Sequence, residues 1–211
     1  MEMSKPQRSA VPLRLDLQII ADMIAPSTRV LDVGCGDGAL LAYLKRAKEI
    51  DGRGIELSQA GVNACVGHGL SVIQGDADTD LRDYPRHSFD YAVLSQTLPA
   101  TSDPKGVILD LVRIGRHAIV SIANFGYWRL RLSLLWGGHV PITDDATLHW
   151  YDTPNIHPCT IADFVGLAHE LGVRIERSVS IDRRGRTRQS GTPRTLANLL
   201  DEQAIFLLRK D

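Results

Sequence analysis

One short run constrains the fold of this chain more than any other: residues 30–38 read Val-Leu-Asp-Val-Gly-Cys-Gly-Asp-Gly. The apolar residues before the glycines predict a buried strand, and residues 38–48 predict a helix. Gly34, Gly36 and Gly38 permit a tight turn and a close approach of the backbone to a ligand, and the first N–H groups of the helix are expected to face that ligand. The run therefore predicts a ligand-binding turn in an α/β protein.

Strands and helices alternate along most of the chain. Periodicity predicts an opening amphipathic helix that ends near Pro26, and a later helix that begins at Thr160, where Asp163 completes a capping box. Helices of this length between strands imply parallel pairing through right-handed crossovers, and so a doubly wound, Rossmann-like, mostly parallel sheet with helices on both faces. The seven predicted strands lie at 29–33, 52–57, 72–75, 89–95, 118–122, 173–181 and 204–208.

Length and composition favour a single domain over residues 1–211. The 211 residues are 44% hydrophobic, which suffices for one large core but not for two nucleotide-binding domains. Because 24 Lys and Arg nearly balance 25 Asp and Glu, no overall charge attracts nucleic acid. Three cysteines without a CxxC pair favour a reducing cytoplasm, and no apolar run predicts an export signal or a membrane span. We expect a cytoplasmic protein that binds neither nucleic acid nor membranes.

Residues 124–158 interrupt the alternation and are interpreted as an insertion. The insertion contains all three tryptophans of the chain. Its first part predicts an amphipathic helix over the sheet edge, since four large apolar residues share one helical face. They are Phe125, Trp128, Leu132 and Leu135. The aromatic residues fit two roles, a lid that lines an acceptor pocket or a surface on which another protein docks.

Carboxylates near the ends of the predicted strands indicate the kind of ligand. Asp32 lies in the first strand, where it would repel a phosphate but could pair with a cationic amino group. Glu56 ends the second strand, where a carboxylate can accept hydrogen bonds from both hydroxyls of a ribose. Asp76 and Ala77 follow the third strand, where the amino group of an adenine could be bound. Ligands of open α/β sheets bind at these carboxyl ends, where the strand order reverses.

The ordered set of these residues resembles the S-adenosylmethionine (SAM) site of class I methyltransferases. The resemblance places Asp32 near the methionine part of SAM, Glu56 on the ribose and Leu57 against the adenine. It also implies that the last two strands form the antiparallel hairpin that this fold adds to its sheet. The cofactor-binding residues that it implies are Asp32, Gly34, Cys35, Gly36, Gly38, Glu56, Leu57, Asp76, Ala77 and Ser95.

A closer resemblance covers nearly the whole chain. Four runs, at residues 31–41, 89–98, 124–128 and 150–157, are similar to the methionine-biosynthesis family called MetW. The last two, Asn-Phe-Gly-Tyr-Trp and Trp-Tyr-Asp-Thr-Pro-Asn-Ile-His, belong to the insertion, which generic methyltransferases do not share. Ala123 departs from the family, in which proline is common before Asn-Phe-Gly. The resemblance implies SAM or S-adenosylhomocysteine (SAH) as the ligand and homoserine O-acyltransferase as the partner.

Three functions fit these features. The first is a SAM- or SAH-binding protein of methionine biosynthesis that acts with, or regulates, homoserine O-acyltransferase, as the MetW resemblance implies. The second is an active SAM-dependent methyltransferase with an unidentified small-molecule acceptor. The third, an NAD-dependent oxidoreductase, rests only on the spacing of Gly34, Gly36 and Ala39, which satisfies a dinucleotide pattern.

Candidate catalytic residues are few. If an acceptor must lose a proton, the insertion offers His149, Tyr151 and His157 as weak candidates for the base, although His157 is equally explained as a cap on a backbone group. No helical HxxxH or paired CxxC spacing supports a metal site. The five arginines at 183–194 fit a solvated, mobile loop, or a site for an acidic partner or for a phosphate-bearing cofactor of that partner.

Overall fold

One mixed sheet with helices on both faces forms the core of the computed structural model, which describes residues 13–140, 150–153, 155–191 and 195–210. Its strands are β1 Arg29–Val33, β2 Asp51–Glu56, β3 Ser71–Gln74, β4 Phe89–Ser95, β5 Gly115–Ala123, β6 Arg174–Ile181, β7 Thr187–Ser190 and β8 Gln203–Arg209. Its helices are α1 Leu15–Met23, α2 Ala39–Lys48, α3 Gln59–Gly67, α4 Pro104–Ile114, α5 Trp128–Gly137, α6 Ile161–Glu170 and α7 Thr195–Leu200. Short 3₁₀ helices span Asp80–Asp83 and Leu98–Ala100. None of these helices is both long and apolar enough to cross a membrane.

The strand order β3-β2-β1-β4-β5-β8-β6-β7 confirms the doubly wound α/β fold. Strands β1 to β5 are parallel, and β8 runs antiparallel between β5 and β6. Because β8 is antiparallel to both of its neighbours, β6 is parallel to β5. The carboxyl ends of β1 to β6 therefore meet at one edge of the sheet, and the strand order reverses at β1.

Alternating side chains of the strands build a core on each face of the sheet. Leu31 and Val33 of β1 belong to one core, with Ile108 of α4 and Phe164 of α6. Val30 belongs to the other core, which α1 and α2 cover. The helix–strand rhythm that the sequence predicts therefore arises from burial on both faces of the sheet.

The structure has eight strands where the sequence predicts seven. The added strand, β7, pairs antiparallel with β6 and lies inside the arginine-rich stretch. The interpretation of that stretch as a mobile loop is therefore wrong for β7. A buried carboxylate explains the difference, because Asp201, which is 0% exposed, accepts a hydrogen bond from Ser180 of β6 and forms an ion pair with Arg188 of β7.

Helix α5 forms where the insertion predicts a helix, but its apolar residues do not pack on the sheet. None of its residues is buried, and Leu135 and Trp136 are 73% and 77% exposed. Its apolar side chains lie all around the helix instead of forming one stripe, so α5 has no single apolar face to place on the sheet. The prediction that an apolar face lies over the sheet edge is therefore wrong.

Candidate ligand site at the carboxyl edge of the sheet

The turn after β1 is tight because three of its glycines have left-handed backbone conformations. Gly34 and Gly38 are also crowded: a Cβ on Gly34 would lie 2.5 Å from Thr97 Oγ1, and one on Gly38 would lie 2.4 Å from a methyl carbon of Leu70. Gly36 has φ +57° and no described atom within 4 Å of its Cβ position. The turn is therefore packed at both ends and open at Gly36.

Four backbone N–H groups of the turn, and that of the first helical residue, already donate within the chain. Gly34 N and Cys35 N donate to Ile55 O at 2.8 and 3.1 Å, and Gly36 N donates to Glu56 Oε2 at 2.9 Å. The first helical N–H groups were expected to face the ligand, but Ala39 N donates to Asp37 Oδ1 at 3.1 Å, and Gly38 N to Cys35 O. A pyrophosphate binds through such N–H groups, so the structure weakens the dinucleotide interpretation.

Asp32 is the most perturbed carboxyl group of the site. It is 2% exposed, and its Oδ1 has no hydrogen-bond partner among the described residues. Burial, and then the nearby negative charge of Glu56, raise the pKa of Asp32 to about 7. A carboxylate held in this way favours a bound cation, because a cation supplies the missing partner and lowers the electrostatic cost.

Glu56 joins the second strand to the glycine turn. One carboxylate oxygen accepts the hydrogen bond from Gly36 N, and the other accepts from Ser58 N at 2.9 Å. Each oxygen retains a further lone pair for a ligand hydroxyl. Leu57 beside it is 66% exposed and offers an apolar surface at the same edge.

Asp76 and Ala77 follow β3, as the sequence indicates. Asp76 Oδ1 accepts from Asp78 N at 2.9 Å, while Asp76 N donates to Asp80 Oδ2 at 2.8 Å. Ala77 packs against the core on the face covered by α4 and α6. The loop after β3 is thus held in one conformation by its own carboxylates.

At the end of β4, the predicted Ser95 lies beside Ser121 and Gln96, which the sequence analysis missed. Ser95 Oγ lies 3.2 Å from Ser121 Oγ, and Ser121 also accepts from the backbone N of Gln96. Gln96 has φ +57°, and its buried side-chain Nε2 has no hydrogen-bond partner within the part of the chain described. Strained backbone and an unpaired donor beside the turn are typical of a ligand site. A left-handed glutamine leaves no signal in the sequence.

Two cysteine thiols pack beneath the turn. Cys35 Sγ and Cys65 Sγ lie 3.9 Å apart, and Cys65 Sγ donates to Gly36 O at 3.3 Å. Burial, followed by nearby negative charges that include Asp32, raises the pKa of Cys35 far above its ordinary value. Both cysteines are buried, so these thiols are inert packing groups and not nucleophiles.

Comparison with known families identifies the chain. The family model described as methionine biosynthesis protein MetW matches residues 14–208. The chain belongs to the MetW family. A curated relative, the bifunctional methionine biosynthesis protein MetXA/MetW of Rhodopirellula baltica, is 33% identical over 82% of this chain. A second, a ubiquinone biosynthesis O-methyltransferase of Hahella chejuensis, is 32% identical over 53% of it. This MetW-family chain spans 29% and 48% of the lengths of these two relatives.

Solved structures place the MetW-family fold among the class I methyltransferases. A SAM-dependent methyltransferase from Thermotoga maritima matches with a TM-score of 0.67 and 17% identity, over 93% of this chain and 87% of the other. At this identity the likeness shows the fold alone. The fold and family together confirm the resemblance found in the sequence, that of a methyltransferase-like protein related to methionine biosynthesis.

His157, which ends the second insertion run, lies beside the loop that follows β4. His157 N donates to Pro99 O at 2.8 Å, and His157 Nδ1 lies 2.9 Å from Thr101 O. A carbonyl only accepts, so Nδ1 carries the proton and Nε2 of the neutral ring is an acceptor. Tyr151 is 65% exposed. His149 lies outside the described residues, and among those described no group of three or more His, Cys, Asp or Glu side chains could hold a metal ion.

Proposed function

We propose that this chain binds SAM or SAH at the carboxyl edge of β1 to β4 and acts with, or regulates, a homoserine O-acyltransferase in methionine biosynthesis. The buried Asp32 carboxyl group, with its unpartnered Oδ1, carries the ligand part of the proposal. Such a group is costly to ionise without a cation. SAM and SAH both present a cationic α-amino group in their amino-acid part.

The neighbouring groups fit the rest of such a ligand. Glu56 would accept hydrogen bonds from the ribose hydroxyls, and Leu57 would lie against the adenine. Asp76 and Ala77 would lie at the adenine edge, and Ser95 would close the site from β4. The space beside Gly36 is open to a bound ligand, because no described atom lies within 4 Å of the Gly36 Cβ position.

A nicotinamide dinucleotide fits the same site poorly. Its pyrophosphate needs N–H donors, but the turn donates its own to Ile55 O and Glu56. It would also meet the carboxylates of Asp32 and Glu56, which repel negative charge. The chemistry of the donor set therefore favours a ligand with a positive charge beside its ribose.

The second function that we consider is methyl transfer to an unidentified small-molecule acceptor. SAM, when bound, supplies an electrophilic methyl group, and the chain mainly needs to hold an acceptor in line with it. The position of His157 beside the loop after β4 favours this alternative, since its Nε2 could take a proton from the acceptor. Tyr151 and His149 are further candidates for this role.

The partner part of the proposal rests on a relative and on a surface. The Rhodopirellula baltica relative is named as a bifunctional MetXA/MetW protein, which indicates that a MetX-type unit and a MetW-type unit share one chain. In this chain, α5 exposes Leu134, Leu135 and Trp136, which we call the α5 apolar surface. Exposed aromatic and leucine side chains of this kind mark protein interfaces. We propose that the acyltransferase covers this surface.

Calorimetric titration with SAM and with SAH tests the ligand part. Asp32→Asn and Glu56→Gln should each weaken binding by about tenfold or more, because each removes a charged hydrogen-bonding group. Glu170→Gln, at an exposed position of α6, should bind as the wild type does. Failure of the wild type to bind either ligand would overturn this part of the proposal.

Co-elution with purified homoserine O-acyltransferase, together with the acylation rate of the mixture, tests the partner part. The double variant Leu135→Asp/Trp136→Asp should lose co-elution and any change in acylation rate. Val66→Asp, which changes an exposed apolar residue on α3, should retain both. If the wild-type proteins neither associate nor affect acylation, the partner part is wrong, and transfer of labelled methyl groups to extract metabolites would then favour the alternative.

A further inference from the structure

A cavity of about 600 Å³ lies between the start of α5 and the loop that joins β6 to β7. Because β6 is parallel to β5, this loop lies at the same edge of the sheet as the glycine turn. It is four strands from β1, which corresponds to roughly 19 Å at the usual strand spacing. None of the residues proposed to bind SAM lines the cavity. The cavity is therefore a separate place on the molecule.

The wall of this cavity has a strong local excess of positive charge. Among the residues that the structure describes, five arginines line it, together with one carboxylate, that of Asp182. Asp182 pairs with Arg186, and the buried Asp201 behind the wall pairs with Arg188. Arg183 and Arg184 form no ion pair with any residue that the structure describes. Since the whole chain has a net charge of −1, the concentration of cations here is local.

The loop that presents these arginines is ordered before any ligand binds. Asp182 Oδ1 accepts from the backbone N of Arg184 at 2.9 Å and of Arg186 at 3.0 Å, and Gly185 takes φ +74° to close the turn. These hydrogen bonds lower the pKa of Asp182, so the turn persists across the physiological pH range. A preformed loop avoids the entropy cost of gathering cations around a ligand.

Aromatic side chains form the opposite wall. Tyr127 is buried, while Trp128 is 38% exposed and carries the guanidinium of Arg129 5.4 Å from its ring centroid. Guanidinium groups bind phosphates in a bidentate manner, and aromatic rings and arginines both stack on flat ring systems. A concave volume of this size suits a ligand of nucleotide dimensions.

From these observations we propose that the cavity binds a nucleoside diphosphate, with the diphosphate on Arg183 and Arg184 and the base against the aromatic wall at Trp128. This site goes beyond the proposed SAM site and does not depend on it. An acidic protein segment would pair with the arginines but would leave the aromatic wall and the concave volume without a purpose. A nucleoside diphosphate would bind the arginines, stack on the aromatic wall and fill the concave volume.

Calorimetric titration of the whole chain with ADP, inorganic pyrophosphate and adenosine tests this proposal. ADP should bind more tightly than pyrophosphate, and adenosine alone should bind weakly at this site. The double variant Arg183→Gln/Arg184→Gln should weaken ADP binding by about tenfold or more. Arg46→Gln/Arg86→Gln, which removes two exposed arginines elsewhere, should change it less than about twofold. Trp128→Leu should weaken ADP but not pyrophosphate.

Two further titrations distinguish this cavity from the proposed SAM site and from a site for an acidic protein segment. ADP could place its ribose on Glu56, so the titration is repeated with Glu56→Gln, in which ADP binding should be unchanged and SAM binding weakened by about tenfold or more. Loss of ADP binding in Glu56→Gln, or equal weakening in the two arginine double variants, overturns the proposal. Binding of a poly-glutamate peptide that depends on Arg183 and Arg184, with no ADP binding, also overturns it and assigns the cavity to an acidic protein segment.

Discussion

Asp32 carries an electrostatic cost in the folded chain that a ligand can remove. Burial, and then the nearby negative charge of Glu56, raise its pKa from the ordinary 3.8 to about 7. Because the folded chain holds this proton more tightly than the unfolded chain, the free energy of unfolding falls as the pH rises from about 4 to about 7, and levels off above that. At pH 8 the ionised group costs up to about 4 kcal/mol.

Asp32→Asn should therefore stabilise the unliganded protein at pH 8 while it weakens binding of SAM by about tenfold or more. We expect the free energy of unfolding to rise by about 2 kcal/mol or more at pH 8, and the gain to shrink towards zero near pH 4. Urea denaturation of both proteins at the two pH values measures this difference. Asp51→Asn, at an exposed position, should show no such pH-dependent gain. An equal effect at both pH values would contradict the assignment.

Substitution of Gly36 distinguishes the effect of backbone strain on stability from the effect of a lost contact on ligand binding. Gly36→Ala meets no described atom within 4 Å, so it should cost only about 1 kcal/mol of strain from its positive φ. A methyl group at this position should nevertheless weaken SAM binding severely, because it occupies the open side of the turn. Gly172→Ala has the same strain and the same empty surroundings, and serves as the matched control. Thermal denaturation and calorimetry of the two variants compare strain with binding.

At the scale of elements, Asn124 fastens the end of β5 to two helices. Its buried amide nitrogen donates to Asn198 O at 2.9 Å and Asp201 O at 2.7 Å, at the end of the chain segment that forms α7. Its oxygen accepts from Gly126 N and from Ile161 N, at the start of α6. The Asn124 side chain thus binds both the first residues of the insertion and Ile161, which begins α6 after it.

Asn124→Ala should lower the free energy of unfolding by about 2–4 kcal/mol, because four buried backbone groups lose their partner at once. Asn63→Ala, on the exposed side of α3, should change it by less than about 0.5 kcal/mol. Chemical denaturation of both variants measures the difference. A loss as small as that of Asn63→Ala would mean that other contacts hold the insertion in place.

Several elements follow from the sequence, and others do not. Hydrophobic periodicity predicts β1 to β5, and the Thr160–Asp163 capping box is confirmed at the start of α6, because both depend on residues close in the chain. Strand β7 has the polar sequence Thr-Arg-Gln-Ser and is not visible as a strand. It forms because Ser178 bonds to Ser190 and because Arg188 pairs with Asp201 from another element. Such contacts have no local signature.

At the scale of the whole molecule, the two proposed sites should act on stability independently. A ligand at about 100 times its Kd raises the free energy of unfolding by about 2.7 kcal/mol. For a chain of this size that corresponds to roughly 5–10 °C in Tm. Because the two sites lie roughly 19 Å apart, SAH and ADP together should give close to the sum of their separate shifts. A combined shift no larger than either alone would mean that both ligands compete for one site.

Local chemistry determined the class of this protein, and pairing between distant residues determined its sites. The glycine turn, the carboxylates at strand ends and the two insertion runs identify a MetW-family chain with a methyltransferase fold, because turns and strand ends are set by nearby residues. Only the tertiary structure brings Ile55 and Glu56 to N–H groups of the turn and leaves Asp32 Oδ1 without a partner among the described residues. Likewise, the insertion of β8 between β5 and β6 brings the arginines of 183–188 beside Trp128. Burial and strand order cannot be read along the chain, since they depend on which distant segments exclude water from one another.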